Sequence, residues 1–417
     1  MALTEITLSD TFEAAYEAPY ERRASWQSAA TPPAMGDLYQ YDTEHQLCDV
    51  RIDGADPQLV HLHWSDGWRQ TVHALWLREQ CTCAECRHPA SLGRILDQDG
   101  YDLDDIPALI TIESDQTLMI IWADDGHISR YQAGWLRHGG RPPTLTTLSQ
   151  TWGAELAECL PRFDFAALLS RDDVLLEWLE VLRQTGLTYV TNAPTTEGTV
   201  CDLVRRIANI RETNFGSVFE VVALADSISN AYTAAALPLH VDLPAREYQP
   251  GLQFLHCLAN QTSGGNSIYC DGLQLAKVLR EEDVEAFATL LRTPVLFRYH
   301  DQDCDYQNIA PIIELAPGGG IRNIRFNPAI MTTADCAPSK FKEFQRAYRS
   351  FLRLTRRPDL QLETRMEPGE IAVFDNRRVL HGRRAFAANG GSRHLQGAYV
   401  EWEDVDSRIR VLRRHIG

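Results

Sequence analysis

Hydrophobic and polar positions change period twice along the chain. Between about Leu47 and Thr147, short alternating runs such as QLVHLHW, LITIESDQTLMIIW and HISRYQAGWL are separated by Asp and Gly turns. That pattern predicts hairpins and a small β-rich domain. The character changes near residue 142, at PPTLTT. Beyond it, DFAALLSRDDVLLEWLEVLRQTG repeats apolar residues at helical spacing and stops at Gly186, where a left-handed cap fits. LTYVTNA, GLQFLHCL, NSIYCDG, VLFRY, IRNIRF, IAVFDN and RHLQGAYVEW read as strands. CDLVRRIANI, LQLAKVLREEDVEAFATLLR and PSKFKEFQRAYRSFLRLTRR read as helices set between them. Strands and helices do not alternate regularly, and no Gly-rich phosphate loop follows a strand. The expected fold class is therefore mainly β with peripheral helices, a jelly-roll barrel rather than a doubly wound sheet. The expected domains are an N-terminal arm over 1–40, a β-rich domain over 41–147 and the barrel over 148–417.

Charge narrows the partners. The 417 residues carry a formal net charge of −17, which repels nucleic acid and anionic lipid and points to small-molecule chemistry. No run of about 18 apolar residues suggests a membrane span. The opening MALTEITLSDTFEAAYEAPYERR has neither the basic and apolar regions of a secretory signal nor the acid-poor character of a transit peptide. A cytoplasmic protein is expected. Of 10 cysteines, Cys81, Cys83 and Cys86 are clustered and the others scattered. In a reducing compartment clusters suggest metal, and scattered thiols suggest small core residues.

The segment LPLHVDLP, Leu237 to Pro244, places His240 and Asp242 two apart in an apolar run. In a strand, residues i and i+2 share a face, so one cation could bridge the two. A half-exposed edge strand with chance polar residues would give the same tripeptide. A two-histidine, one-carboxylate triad, which leaves one side of a metal open to substrate and oxygen, needs a third ligand. His381 in FDNRRVLHGRRAF supplies a candidate. Arg393, twelve residues later, could hold a carboxylate by a two-pronged charge-assisted contact.

HVD, a distant LHGRR and then Arg393 resemble the iron and 2-oxoglutarate dependent dioxygenase superfamily. From about Leu47 to Arg414 the chain resembles the γ-butyrobetaine hydroxylase family and its trimethyllysine hydroxylase relatives. LWLREQCTCAEC, WADDGHISRY, AYTAAALPLHVDLP, PGLQFLHCL, GGNSIYCDG, FDNRRVLHGRR and SRHLQGAYVEWEDVDSRIRVLRR carry the likeness. The resemblance implies iron(II) on His240, Asp242 and His381, 2-oxoglutarate on that iron with its far carboxylate on Arg393 and near Ser267, and stimulation by ascorbate. Val241 departs from the threonine of many relatives but is not a ligand. Asn376 and Arg384 are candidates to support the ligands, or are structural. The domain over 41–147 would be zinc-binding, with a structural ion on Cys81, Cys83, Cys86 and His127. His127 is taken there over the sequence-near competitor His88. A homodimer is also implied.

Family substrates are trimethylammonium compounds, which cannot donate a hydrogen bond, so recognition rests on aromatic faces. An ungapped match implies Phe215, Phe219 and Tyr232 as substrate-binding, with Tyr399 from the last barrel strand. Phenylalanine at 215 and 219 departs from the family's larger or more polar aromatics. Arg325 and Pro328 stand where asparagine-rich sequence is usual, so Arg325 becomes the candidate anion partner, suited to a phosphonate as well as a carboxylate. The expectation is hydroxylation of γ-butyrobetaine to L-carnitine. A trimethylammonium alkylphosphonate, trimethyllysine, a non-catalytic betaine-binding barrel and an interaction protein built on the zinc domain are the alternatives.

Overall fold

The computed structural model describes residues 44–416 apart from 89, 90, 92, 96, 141–148, 223–233 and 388–390. The expected arm over 1–40 and Tyr232 lie outside the described residues. The chain divides into two compact units, Met1–Thr144 and Leu145–Gly417.

The first unit holds two three-stranded antiparallel sheets. One is β1 (Leu47–Ile52), β2 (Leu59–Trp64) and β3 (Arg69–His73); the other is β4 (Pro107–Ile112), β5 (Leu118–Trp122) and β6 (Ile128–Tyr131). Alternation decides what they bury. Val60, Leu62 and Trp64 of β2 meet Leu118, Ile120 and Trp122 of β5 in one core. The strand-like reading missed two short helices, Ala74–Glu79 and Ala133–Arg137, the second of which takes the end of HISRYQAGWL. Leu77 and Leu136 on these helices join the same core, so burial overrides the local pattern.

The second unit is the jelly roll. Its main strands in chain order are β7 (Arg162–Asp164), β8 (Leu187–Thr191), β9 (Phe219–Val222), β10 (Leu237–His240), β11 (Leu252–Asn260), β12 (Ser267–Asp271), β13 (Val295–His300), β14 (Asp305–Ala310), β15 (Leu362–Thr364), β16 (Ile371–Asp375), β17 (Val379–Arg383) and β18 (Arg393–Val400). A six-stranded sheet in the order β7-β8-β16-β11-β18-β9 faces a four-stranded sheet in the order β10-β17-β12-β15. The outer face of the larger sheet is covered by helices. On Asp172–Thr185 the residues Leu175, Trp178, Leu179 and Leu182 are buried at helical spacing, each side chain contributing about 1.5–3 kcal/mol of apolar burial. Gly186 closes that helix at φ 73°.

Two expected helices are each two. Arg171 is extended and separates Phe165–Ser170 from Asp172–Thr185. Asp283 breaks Gly272–Glu282 from Val284–Arg292, because its carboxylate caps the second helix at the Ala286 amide.

Candidate active site

The run LPLHVDLP is a strand only as far as His240. Val241 is fully buried in the barrel core and its amide donates to the Phe326 carbonyl at 2.8 Å. Asp242 therefore still turns to the same side as His240, although the ladder has ended. Leu243, at φ 55°, bends the chain away at once. Asn376 brackets the Asp242 peptide: its Oδ1 accepts the Asp242 amide at 2.7 Å, and its Nδ2 donates to the Asp242 carbonyl at 3.0 Å.

His381 arrives from β17, which pairs antiparallel with β10 so that His240 and His381 are direct partners. Gly382 permits this approach, since a Cβ there would lie 2.6 Å from the Leu237 carbonyl oxygen. The imidazole centroids are 4.3 Å apart. His240 Nε2 is 3.2 Å and His381 Nε2 3.8 Å from the same Asp242 Oδ1. The other carboxylate oxygen, Oδ2, accepts the Tyr399 hydroxyl at 2.7 Å.

Electrostatics suit a cation. Burial works against a proton on His240, but the hydrogen bond and charge of Asp242 outweigh it and raise the pKa above its ordinary 6.5. For Asp242 burial opposes ionisation, yet His381, His240 and Tyr399 together hold the carboxyl well below its usual range. His381 is pushed down to about 3 by burial, with the charge on His240 adding to the effect. It is neutral at physiological pH, the state in which an imidazole can bind a metal. His240 Nδ1 donates to the Pro238 carbonyl at 2.8 Å, which aims Nε2 at the centre. Two imidazoles and one carboxylate, all ligand atoms within 4.8 Å of one another, form a donor set that fits iron(II).

The triad opens into a cavity of about 590 Å³. Ser267, Arg393, Phe215, Phe219 and Tyr399 line it. Arg393 is buried, its Nε has no hydrogen-bond acceptor, and burial lowers its pKa. Arg383 shares this side of the cavity: both guanidinia lie over the Phe386 ring, at 4.9 and 5.9 Å, and burial together with the charge of Arg393 pushes Arg383 down to about 10. Phe219 and Tyr399 stack with centroids 4.9 Å apart. Gly397 makes room for the Phe219 ring, because a Cβ there would meet its Cζ at 2.1 Å. Phe215 packs edge-on against Tyr299 at 5.7 Å.

Arg325 corrects the expectation. It does not line the cavity. Its Nε pairs with Glu314 at 2.7 Å, and its remaining nitrogens donate to the carbonyls of Pro244, Arg246 and Glu247. That guanidinium is neutralised and committed to holding the loop after Asp242. Arg384 likewise faces Glu363 and Gln361 at the surface, away from the triad. Sequence reasoning missed the hydroxyl of Tyr399 as a partner of Asp242, and it missed Arg246, Tyr299, Tyr306 and Arg383 in the cavity wall.

In the first unit, His127 Nε2 lies 3.3, 3.6 and 3.5 Å from the sulfurs of Cys81, Cys83 and Cys86. His88 instead accepts the Ser91 amide on its Nδ1. Burial raises the Cys81 thiol and pushes Cys86 up to about 12. Buried Arg78 lies beside Cys86, Nη1 to Sγ 4.0 Å, and pairs with Asp125, which also accepts the His127 amide. His127 Nδ1 faces Glu85 at 3.4 Å, leaving Nε2 for the thiols. Three sulfurs and one imidazole at these separations fit a closed tetrahedral ion.

Two family matches cover the chain. Residues 144–399 match the family described as taurine catabolism dioxygenase TauD, TfdA, and residues 54–137 match the γ-butyrobetaine hydroxylase-like N-terminal family. A γ-butyrobetaine dioxygenase of Pseudomonas sp. (strain AK-1) is 42% identical over 367 residues, covering 85% of this chain and 94% of that protein. The γ-butyrobetaine dioxygenase of Homo sapiens is 33% identical over 379 residues, 88% of this chain and 96% of that one. The mitochondrial trimethyllysine dioxygenase of Rattus norvegicus is 30% identical over 352 residues, 82% of each chain.

Proposed function

The chain belongs to the TauD, TfdA dioxygenase family, the iron(II) and 2-oxoglutarate dependent enzymes, and on that premise we propose that it hydroxylates γ-butyrobetaine to L-carnitine. The observation that carries the substrate is the 42% identity to a γ-butyrobetaine dioxygenase across 94% of that protein's length. The cavity supports it, because aromatic faces and a candidate metal triad share one enclosure.

His240, Asp242 and His381 would hold the iron. When bound, iron(II) supplies the oxidising chemistry: one oxygen molecule and 2-oxoglutarate convert a substrate C–H to C–OH, leaving succinate and carbon dioxide. The protein's share is orientation and exclusion of water. Tyr399 donates to Asp242 Oδ2 and leaves Oδ1 turned toward both imidazoles. Arg393 is a buried cation with no carboxylate within 4.0 Å among the described residues, which suits the far carboxylate of 2-oxoglutarate, with Ser267 beside it in the wall. Phe215, Phe219 and Tyr399 offer faces to a quaternary ammonium, each worth about 0.5–2 kcal/mol. Cys81, Cys83, Cys86 and His127 would bind zinc structurally and stiffen a small unit.

The test is succinate formation by iron-loaded protein with 2-oxoglutarate and oxygen, comparing γ-butyrobetaine, 2-trimethylaminoethylphosphonate and trimethyllysine. Strongest stimulation by γ-butyrobetaine is expected. Stimulation by the phosphonate or trimethyllysine alone would keep the reaction class and overturn the substrate.

A further inference from the structure

With Arg325 committed to Glu314 and three carbonyls, the cavity needs another partner for the negative end of a zwitterion. We infer that Arg246 is that partner, an inference that rests on the proposed trimethylammonium substrate. Arg246 stands four residues after Asp242, and the bend at Leu243 brings it into the same cavity wall. Its guanidinium lies 4.1 Å over the Tyr306 ring. One nitrogen, Nη2, donates to Asn214 Oδ1 at 2.8 Å, while Nε is buried with no acceptor. No carboxylate among the described residues lies within 4.0 Å of it. Stacked and tethered, the side chain is held in one orientation with its charge uncompensated and donors to spare. That is the condition under which a guanidinium takes a carboxylate or phosphonate in two-pronged fashion.

The surroundings of Arg246 differ from those of the other arginines in the cavity wall. Tyr306 is the register partner of Tyr299, and Tyr299 packs against Phe215. Arg393 and Arg383 sit over Phe386 instead, so Arg246 serves a different anion from theirs. Of the three aromatic faces proposed for the trimethylammonium group, Phe215 is linked to Arg246 through Tyr299 and Tyr306, so the positive charge shifts that group away from Phe215 and onto Phe219 and Tyr399. Arg246 would thus fix which way round a zwitterion enters, and with it which carbon meets the triad.

The experiment compares γ-butyrobetaine with butyltrimethylammonium, the same four-carbon cation with a methyl group in place of the carboxylate, in iron-loaded wild type, Arg246→Gln and Arg246→Lys, reading KM and kcat from succinate formation. Wild type should favour γ-butyrobetaine by roughly 10- to 100-fold in KM, the range of a charge-assisted hydrogen bond. Arg246→Gln should bring the two KM values together, and Arg246→Lys should restore part of the difference. An Arg246→Gln enzyme that keeps the wild-type preference, or that loses both substrates and 2-oxoglutarate equally, overturns the role of Arg246 and leaves the proposed function standing. If 2-trimethylaminoethylphosphonate alone stimulates wild type, the γ-butyrobetaine assignment fails while the same variants test Arg246 on the phosphonate. A wild type that no zwitterion stimulates overturns both.

Discussion

At the scale of single residues, the triad is shaped by what surrounds it. Tyr399 spans two roles, a ring stacked on Phe219 and a hydroxyl on Asp242. Tyr399→Phe keeps the ring and removes the donor. Metal affinity, followed with manganese(II), should fall about 10-fold, the cost typical of losing a hydrogen bond to a ligand. An unchanged affinity would show that the hydroxyl does not orient Asp242. His240 makes a second prediction. Its pKa is raised by Asp242, whereas His381 is held neutral, so an incoming cation displaces one proton. Manganese(II) affinity should therefore climb by up to about 10-fold per pH unit from pH 6 upward and level off above the raised pKa of His240. A flat profile across pH 6 to 8 would show that no proton is displaced from His240. Gly397→Ala should push the Phe219 ring from its place and raise the KM for γ-butyrobetaine roughly 10-fold, on the scale of one lost cation–π face, leaving the KM for 2-oxoglutarate near its starting value.

At the level of elements, part of this site is legible in the sequence and part is set by strand pairing. From the residues alone, HVD in an apolar run reads equally as a cation pair or as an edge strand with chance polar groups, and the likeness of HVD, the distant LHGRR and Arg393 to the dioxygenase superfamily is what singles out His240, Asp242 and His381. Their convergence depends on β10 pairing with β17, which no local pattern encodes. The break at Asp283 had a local signal, an aspartate three residues before the amide it caps, but the continuous apolar stripe concealed it. Arg325 and Arg246 could not be sorted from sequence. An arginine's function depends on the acceptors folded around it, and Glu314 on a separate strand claims only the first. Asp271 shows how tightly elements are joined. It caps the helix Gly272–Glu282 through the Leu273 amide, accepts the Trp152 amide and forms a two-pronged pair with Arg378, both side chains being buried. Asp271→Ala leaves a buried guanidinium without its partner and should cost about 3–5 kcal/mol in denaturant unfolding. A loss below about 1 kcal/mol would mean that water or neighbouring carbonyls satisfy Arg378.

In the whole molecule, the two units carry two candidate metal sites of different kinds: a closed sulfur-rich tetrad and an open nitrogen and oxygen triad. A closed site contributes to folding, and an open one to reaction. Under the proposed function, the open triad couples 2-oxoglutarate consumption to hydroxylation of γ-butyrobetaine. The most direct measurement is turnover under ¹⁸O₂ with mass analysis of both products. Equal amounts of succinate and L-carnitine are expected, each carrying one labelled oxygen, with loss of both in His381→Ala. Labelled succinate formed at the same rate with or without γ-butyrobetaine, and with no hydroxylated product, would contradict that coupling.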